Sequence, residues 1–345
     1  MPNRIYLDHA ATTPLRPEAE AAMREGFALW ANPSSPHAEG RRARAALEDA
    51  RERIKAALGW DGELIFTSGA SEALALALRH SSKPVVAVSA VEHEAVLRHA
   101  EAVLRVPVSP DGLVEMPAAS AGLAAIQQVN NETGVIQPLG AFAAQQREAG
   151  GVLLADCAQS AGKVPLPDAD LIALSAHKFG GPVGIGALLV REFALLAPTG
   201  GQERGYRGGT ENLPAVLAMA AALEEGGEWI VEAARLRGRL EAGLAAAGGE
   251  IVAQGAPRIA TIGAYRMPGM SSAVQLIRLD AAGFSVSAGS ACSSGSLKTS
   301  HVLRAMRHPH PAEVIRVSIG RETTEAEIDA FLSAWRAIAE TAKAA

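Results

Sequence analysis

The sequence predicts an α/β protein in which a mostly parallel sheet is flanked by helices and followed by a smaller α+β unit. Short apolar runs alternate with helix-like segments through the first two thirds of the chain, the pattern of a parallel sheet with helices on both faces. Polar clusters follow several of these runs, where open α/β sheets bind ligands. The alternation changes after Gly248 and Gly249, so we expect a large domain over 14–247 and a small one formed by 1–13 and 248–345.

The composition is that of a globular protein. The chain has 345 residues, of which 48% are apolar and 20% charged, and its net charge is −5. This leaves no basic excess for nucleic acid and no apolar run long enough to span a bilayer, and we predict no metal site. Residues 1–5 lack the apolar core of a signal peptide. Two cysteines cannot form a disulfide framework, so we expect a reducing, cytoplasmic environment.

The elements of the first 247 residues have local signals. Pro17 opens a helix expected to end near residue 29, and a charged amphipathic helix follows at 38–58. A glycine-containing turn starts the next helix at 68–72, and a helical region after 212 continues to about 247 with a break near Gly226. The predicted strands are the apolar runs at 5–8, 63–67, 84–89, 125–129, 151–156 and 171–174.

The later elements follow a long glycine-rich loop. Residues 199–212 are too many and too polar for a simple connection, so we expect this loop to be functional. Thr324 and Glu327 fit a capping box for the last helix. The other elements predicted beyond 247 are strands at 258–263, 284–287 and 313–319 and a helix at 272–281.

Five polar clusters come directly after predicted strands of the sheet. Each one alone is explained by a helix cap or a turn, but five at the same kind of position favour a binding site. The glycine-containing turn at 68–71 leads into a helix N-terminus, which offers backbone N–H groups to a phosphate. The clusters lie at 68–71, 92–93, 130–131, 156–159 and 175–178.

Lys178 and Asp156 form the most informative pair. Each follows an apolar strand, so both are expected at the same edge of the sheet. A lysine alone at such a position is usually a solvated surface residue. A lysine that forms a Schiff base, together with an acid that pairs with a pyridine nitrogen, is the set that pyridoxal phosphate (PLP) requires. The pair therefore predicts a PLP site.

Three further side chains are unusual for their surroundings. Cys292 lies among small residues in a predicted loop, as an accessible nucleophile would. Cys157 ends an apolar strand beside Asp156, and side-chain alternation predicts a buried packing role for it. Arg316 interrupts an apolar strand, where its charge needs either an internal partner such as Glu313 or a substrate carboxylate.

These motifs together resemble one family. The chain is similar to the cysteine desulfurases of the NifS/IscS type, in the class V aminotransferase group of fold-type I PLP enzymes, and the similarity extends from Tyr6–Pro14 to 315–327. Each motif is common by itself, but the set is specific. The motifs are YLDHAATTP, NPSSPH, FTSGASEA, EHEAV, NNETG, DCAQSAGK, SAHKFGGPVGIGAL, GGQERGYRGGTEN and SAGSACSSG, with IRVSIGRETTEAE last.

The resemblance implies a role for each cofactor-binding residue. Lys178 would bind the cofactor covalently, Asp156 would pair with the pyridine nitrogen, and Gln159 would bond the ring hydroxyl. His93 would stack on the ring and help to move protons. The residues implied to hold the phosphate are Ala70, Ser71, Ser175 and His177, with Thr210 from the partner subunit of a homodimer.

The resemblance also implies the reaction, in which L-cysteine becomes L-alanine. Asn131 and Arg316 would bind the substrate carboxylate, and Cys292 would take the sulfur as a persulfide. The persulfide would pass to an acceptor protein, for iron–sulfur cluster assembly or for thiolation of tRNA or a cofactor. The chain ends soon after its last helix and lacks the longer tail of the IscS branch, so docking of that branch's scaffold partner is in doubt.

Departures from the family pattern are few, and other activities remain open. Ser71 stands where many members have Thr, Cys157 where Ala is usual, and Gly208 where Ser or Ala is common. A selenocysteine lyase, another PLP-dependent C–S lyase or an aminotransferase would use the same fold. A non-catalytic PLP-binding protein that delivers sulfur is a further alternative. A plain nucleotide-binding protein is disfavoured, because the chain lacks a P-loop lysine motif and a GxGxxG turn after its first strand.

Overall fold

The computed structural model describes residues 4–101, 103–289 and 299–343. Its helices are α1 Pro17–Ala28, α2 Ala38–Leu58, α3 Ala70–His80, α4 Glu94–Leu97, α5 Leu139–Glu148, α6 Leu213–Glu224, α7 Trp229–Ala246, α8 Ser272–Ala281, α9 His301–Ala305 and α10 Glu325–Lys343. Its strands are β1 Ile5–Tyr6, β2 Glu63–Thr67, β3 Val85–Ser89, β4 Leu104–Val106, β5 Leu123–Ala125, β6 Val152–Asp156, β7 Leu171–Ser175, β8 Gly186–Val190, β9 Glu250–Ile251, β10 Ile262–Arg266, β11 Phe284–Ser285 and β12 Val314–Ser318.

Helix ends form where the sequence supplies their caps. Pro17 occupies the first turn of α1, where a missing N–H costs nothing. Gly59 ends α2 in the left-handed conformation, with φ of 64°, which a glycine adopts without steric penalty. The predicted capping box before α10 is confirmed: Thr324 N donates to Glu327 Oε2 (2.8 Å), and Glu327 N donates to Thr324 Oγ1 (3.3 Å).

The large sheet has the order β2-β8-β7-β6-β5-β3-β4. The pairs from β7 to β4 are parallel, which confirms the mostly parallel sheet. Strand β8 is antiparallel to both β2 and β7, and it was not predicted from the sequence. Two successive reversals make β2 run in the same direction as β7. The carboxyl ends of β2, β6 and β7 therefore lie at the same edge of the sheet.

Both faces of this sheet are covered, because its central strands carry apolar side chains on both faces. In β6, Leu153 and Ala155 join the core on one face, which includes residues of α2, α5 and α6. Val152 and Leu154 join the core on the opposite face, with residues of α3 and α4. Strands buried on both faces lose the alternating pattern and read as continuous apolar runs, which is how the sequence revealed them.

A second core lies on a three-stranded antiparallel sheet of order β12-β10-β9 and on the parallel pair β1–β11. Its largest buried side chains are Trp335, Phe331 and Tyr265, and α7 contributes Leu240 to it. The division of the chain into domains at residues 13 and 247 stays a prediction.

The strand predicted at 258–263 is shifted, since β10 begins at Ile262. The preceding residues bond the turn after β5 instead: Ile136 N donates to the Pro257 carbonyl and Ile259 N to the Gly134 carbonyl, both at 2.8 Å. The backbone of Ile259, which the apolar sequence assigned to a strand, is thus used in a hydrogen bond to a distant turn. None of the helices in the described ranges is long and apolar enough to cross a membrane.

Candidate active site

A cavity of about 420 Å³ opens at the carboxyl edge of the large sheet. The turn after β2, the segment after β3 and the ends of β6 and β7 line it. Nine of the residues predicted from the sequence are among its lining residues: Ala70, Ser71, His93, Asn131, Asp156, Gln159, Ser175, His177 and Lys178. The structure therefore brings together residues that lie up to 108 positions apart in the chain, from Ala70 to Lys178.

Lys178 ends a single 3-10 turn that follows β7. Its Nζ donates to the carbonyl oxygens of Ala10 (2.7 Å) and Ala11 (2.8 Å). The same N-terminal turn is fixed to the backbone around the lysine, since Thr13 N donates to the His177 carbonyl at 2.8 Å. The turn after β1, to which the sequence analysis gave no role, thus holds the amine at the cavity wall.

Asp156 ends β6 with its side chain almost fully buried. Its Oδ1 accepts a hydrogen bond from Ala158 N (2.9 Å). Burial raises the pKa of the carboxyl, although the Ala158 hydrogen bond and the nearby His93 and Lys178 act in the opposite direction. A cationic N–H group placed in the cavity would stabilise the ionised carboxylate.

Gln159 lies three positions beyond the end of β6, and only one end of its side-chain amide has a hydrogen-bond partner among the described residues. Its Nε2 donates to the Ala10 carbonyl (2.9 Å), while Oε1 is buried without a partner among the described residues. A buried acceptor without a donor is costly. A ligand hydroxyl is the group that this position lacks.

The N-terminus of α3 forms an anion-binding end of the cavity. Gly69 precedes the helix with φ of 153°, and no side chain caps the first turn. Close packing holds the turn in place, because a Cβ on Gly186 of β8 would lie 2.6 Å from Gly69 Cα. The exposed N–H groups and the helix dipole favour a phosphate here.

Two polar side chains, His177 and Glu72, line the cavity beside this helix end. Burial, with smaller effects of Lys178 and Lys163, lowers the pKa of His177 to about 4, so the ring is neutral near pH 7. Its Nδ1 lies 3.2 Å from Thr12 Oγ1. The Glu72 carboxylate also lines the cavity, and Arg207 of the glycine-rich loop pairs with it at 2.9 Å. This ion pair ties the loop to the cavity edge.

His93 begins the short helix α4, where its Nδ1 accepts a hydrogen bond from Ala95 N (3.1 Å). A neutral ring that accepts at Nδ1 carries its proton on Nε2. The preceding Glu92 is buried, and its Oε1 accepts from Gln127 N (2.8 Å). Burial raises the pKa of Glu92 to about 8. The sequence placed Glu92 in the polar cluster at 92–93 but gave no sign of its burial, so no separate role was predicted for it.

Arg316 lies on β12 with a side chain only 1% exposed, adjacent to the cavity but not among its lining residues. Its Nη2 pairs with Asp8 Oδ1 (2.8 Å), and its Nη1 donates to the Asn131 carbonyl (2.9 Å). The prediction from the sequence that Glu313 could be the internal partner of Arg316 is wrong. Glu313 precedes the strand and pairs instead with Arg266 on the neighbouring strand β10 (2.7 Å).

Two predicted site residues remain, Thr210 and Cys292. Thr210 is exposed on the glycine-rich loop and does not line the cavity of the single chain. Cys292 lies outside the described residues. Cys157 is fully buried, its Sγ donates to Gln128 Oε1 (3.4 Å), and burial raises the pKa of its thiol, which confirms the packing role.

Sequence reasoning also missed Lys163, which lies behind Lys178. Both lysines line a second, much smaller cavity of about 30 Å³ together with His9. Burial, and then the charge of Lys178, lower the pKa of Lys163 to about 7. The sequence feature that could have pointed to Lys163 is its position in the largely apolar segment after β6.

Comparison with known families and curated proteins gives consistent matches. The family model described as Aminotransferase class-V matches residues 5–331. A cysteine desulfurase of Cereibacter sphaeroides is 39% identical over 95% of this chain and 94% of its own length. A cysteine desulfurase of Gluconacetobacter diazotrophicus is 37% identical over 96% of this chain and 92% of its own length.

Solved structures are similar over nearly the whole chain. A NifS-like protein superimposes with a TM-score of 0.89 at 29% identity, covering 98% of this chain and all 100% of that one. A structure titled "SspA in complex with cysteine" has a TM-score of 0.79 at 27% identity, covering 93% of this chain and 100% of that one. The match includes both the large sheet and the elements of the second core.

Proposed function

The chain belongs to the class V aminotransferase family and, within it, to the cysteine desulfurases; from this premise we propose that it converts L-cysteine to L-alanine and keeps the sulfur as a persulfide on Cys292. The observation that carries the proposal is one cavity in which Lys178, Asp156 and the uncapped N-terminus of α3 lie together. An amine, a buried acid and an anion-binding turn are what PLP requires of a protein.

The cavity residues fit PLP group by group. Lys178 would hold the aldehyde carbon, Asp156 the ring N–H, and Gln159 the ring hydroxyl, which would donate to the partnerless Oε1. When bound, the cofactor supplies an electron sink for a carbanion at the substrate Cα. The residues proposed to hold the phosphate are Ala70, Ser71, Ser175 and His177.

Lys178 is proposed to accept the Cα proton at Nζ. The carbonyls of Ala10 and Ala11 accept hydrogen bonds from Nζ, which hold the nitrogen at the cavity wall. The neutral form is the one that accepts a proton. His93 is proposed to stack on the ring and to assist proton movement through Nε2, since its Nδ1 accepts from Ala95 N.

Arg316 and Asn131 are proposed to bind the substrate carboxylate. The Arg316 guanidinium donates to the Asn131 carbonyl, and Asn131 lines the cavity, so Arg316 lies directly behind this part of the cavity wall. A guanidinium offers N–H donors in the planar arrangement that matches a carboxylate.

Cys292 is proposed as the sulfur acceptor. Its thiolate attacks the substrate sulfur, so that an S–S bond forms as the Cβ–S bond breaks. The electrons of the broken bond remain with the three-carbon fragment, which takes up protons to become alanine. Cys157 cannot substitute, because it is fully buried and burial raises the pKa of its thiol.

A second copy of the chain and an acceptor protein complete the proposal. Thr210 is exposed on the loop that Arg207 ties to the cavity edge, which supports a role for Thr210 at the phosphate of a partner subunit. The persulfide is proposed to pass to a scaffold or carrier protein in the cytoplasm, for iron–sulfur cluster assembly or thiolation.

The test compares the wild type with Cys292→Ser and with Cys157→Ala as the matched thiol control. Each protein is incubated with L-cysteine and a reductant, and alanine and sulfide are quantified beside the visible spectrum of the cofactor. We expect equal amounts of alanine and sulfide from the wild type and from Cys157→Ala. Cys292→Ser is expected to bind PLP and cysteine but to release no sulfide.

Two outcomes would overturn the proposal at different steps. Full activity in Cys292→Ser would exclude Cys292 as the acceptor and favour a C–S lyase or selenocysteine lyase. A wild type that binds no PLP would contradict the assignment of the cavity itself.

A further inference from the structure

The Asp8 carboxylate is the charged partner of the one arginine proposed to bind substrate. Arg316 is 1% exposed, and its Nη2 lies 2.8 Å from Asp8 Oδ1. The other bond of the guanidinium goes to the Asn131 carbonyl, and Nε is buried without a partner among the described residues. A buried guanidinium needs a counter-charge to keep one orientation, and Asp8 supplies it.

The position of Asp8 in the fold is set by backbone bonds on both sides. Ser318 N donates to the Leu7 carbonyl (2.8 Å), which places Asp8 beside the end of β12. Ala11 N donates to the Asp8 carbonyl (2.9 Å), which closes the turn that follows. Tyr6 Oη also donates to the Asp8 carbonyl (3.1 Å). The backbone of Asp8 is therefore fixed by hydrogen bonds at its own carbonyl and at the preceding residue.

The turn that Asp8 opens also holds the catalytic amine. The carbonyls of Ala10 and Ala11 accept from Lys178 Nζ, and Ala10 N donates to Ser318 Oγ on the same strand region as Arg316 (2.9 Å). The short segment from Asp8 to Ala11 thus contacts the carboxylate-binding arginine at one end and the proton acceptor at the other. The substrate carboxylate is bonded to Cα, so their distance does not vary. Arg316, which binds the carboxylate, and Lys178, which takes the Cα proton, must therefore keep a fixed separation.

Resting on the proposed function, we propose that Asp8 is a positioning residue for the substrate: its carboxylate orients Arg316, and the turn it opens sets the distance from Arg316 to Lys178. Asp8 does not contact the reacting atoms. Asp8 therefore affects the affinity for ligands that carry a carboxylate and not the affinity for ligands without one.

The experiment measures dissociation constants by titrating the cofactor absorbance, in a Cys292→Ser background that does not turn over. L-cysteine is compared with cysteamine, which has the same amine and thiol but no carboxylate. We expect Asp8→Ala to weaken L-cysteine binding by about tenfold or more, the size of a lost charged hydrogen bond, with cysteamine changed less than about twofold. Asp8→Asn, which keeps an acceptor oxygen, is expected to fall between wild type and Asp8→Ala.

Glu313→Gln is the matched control, because Glu313 also pairs with a partly buried arginine in the second core but lies away from the cavity. It should lower stability without changing the ratio of the two dissociation constants. An unchanged ratio in Asp8→Ala, or an equal loss for both ligands, would overturn the positioning role.

These results are distinguishable from failure of the proposed function. If the parent protein shows no cofactor absorbance, or no response to L-cysteine, the proposed function fails before Asp8 is tested. If the parent responds to L-cysteine and both Asp8 variants keep its preference over cysteamine, only the role of Asp8 is refuted.

Discussion

At the scale of single residues, the site depends on buried and half-buried ionisable groups whose charge is set by their surroundings. Asp156, Glu92, His177 and Lys163 lie around or just behind the same cavity. Burial is the largest cause of each pKa shift, and in every case it disfavours the charged form. Because burial disfavours charge on these groups, the charge of a bound ligand contributes strongly to the local field.

Glu92 gives a prediction about pH and stability. Its pKa in the folded protein is raised to about 8 from 4.5. A carboxyl with a raised folded pKa contributes stability that is fully present below pH 4.5 and is lost as the pH rises through 8. We therefore expect Glu92→Gln to gain stability relative to the wild type between pH 5 and 8, by up to a few kcal/mol at about 1.4 kcal/mol per pKa unit.

Urea unfolding of both proteins at a series of pH values measures this difference. Glu94→Gln, at an exposed position of the same segment, is the control. A difference between Glu92→Gln and wild type that stays constant from pH 5 to 8 would contradict the prediction.

At the scale of elements, the phosphate end of the cavity depends on how closely β8 approaches the turn before α3. Gly186 permits this approach, because a Cβ there would lie 2.3 Å from the Leu174 carbonyl oxygen and 2.6 Å from Gly69 Cα. Both neighbours are backbone atoms of regular structure and cannot move aside cheaply. The unpredicted strand thus fixes the position of the anion-binding helix end.

We expect Gly186→Ala to lower stability by about 1–3 kcal/mol and to weaken PLP binding, because the turn must shift to admit the methyl group. Gly140→Ala is the matched control, since no atom lies within 4 Å of a Cβ at this position in α5. Its expected effect is neutral or slightly stabilising. Melting temperatures and the PLP dissociation constant test both variants. A Gly186→Ala protein with unchanged PLP affinity would show that the close approach does not support the phosphate site.

At the scale of the whole molecule, the glycine-rich loop is tied to the helices α2 and α3 at two separate places. Glu203 is fully buried and pairs with the buried Arg51 of α2 (2.9 Å). Arg207 pairs with Glu72 at the cavity edge. These contacts fix the base of the loop and leave Thr210 exposed to solvent in the single chain. A proposed dimer would use this exposed part of the loop.

The dimer proposal predicts complementation between two inactive sites. Thr210→Ala should weaken PLP binding about tenfold through loss of one phosphate hydrogen bond, and Lys178→Ala should abolish covalent cofactor binding. A mixed dimer of the two variants regains one complete site, with Lys178 from one subunit and Thr210 from the other. We expect mixing under exchange conditions to restore cofactor absorbance at limiting PLP. If the mixture equals the mean of its parents, Thr210 does not serve the partner's site.

The sequence by itself determined the class of sheet and most of the cavity. Strand runs buried on both faces are continuous in apolar character, and the carboxyl ends of parallel strands meet at one edge. For this reason, side chains that follow different strands, such as Ser71, His93 and Lys178, could be assigned to one site before any coordinates were known. The capping box of α10 was equally readable, because its partners lie within one turn.

Only the tertiary structure decided the rest, because the deciding partners are far apart in the chain. The pairing of β8 with β2 and β7 depends on backbone bonds that glycine-rich sequence does not predict. Asp8 rather than Glu313 neutralises Arg316, across 308 positions, because side-chain pairing follows spatial rather than sequence distance. The buried groups Glu92 and Lys163 became recognisable only once burial was known, since desolvation is a property of the folded packing and not of the residue.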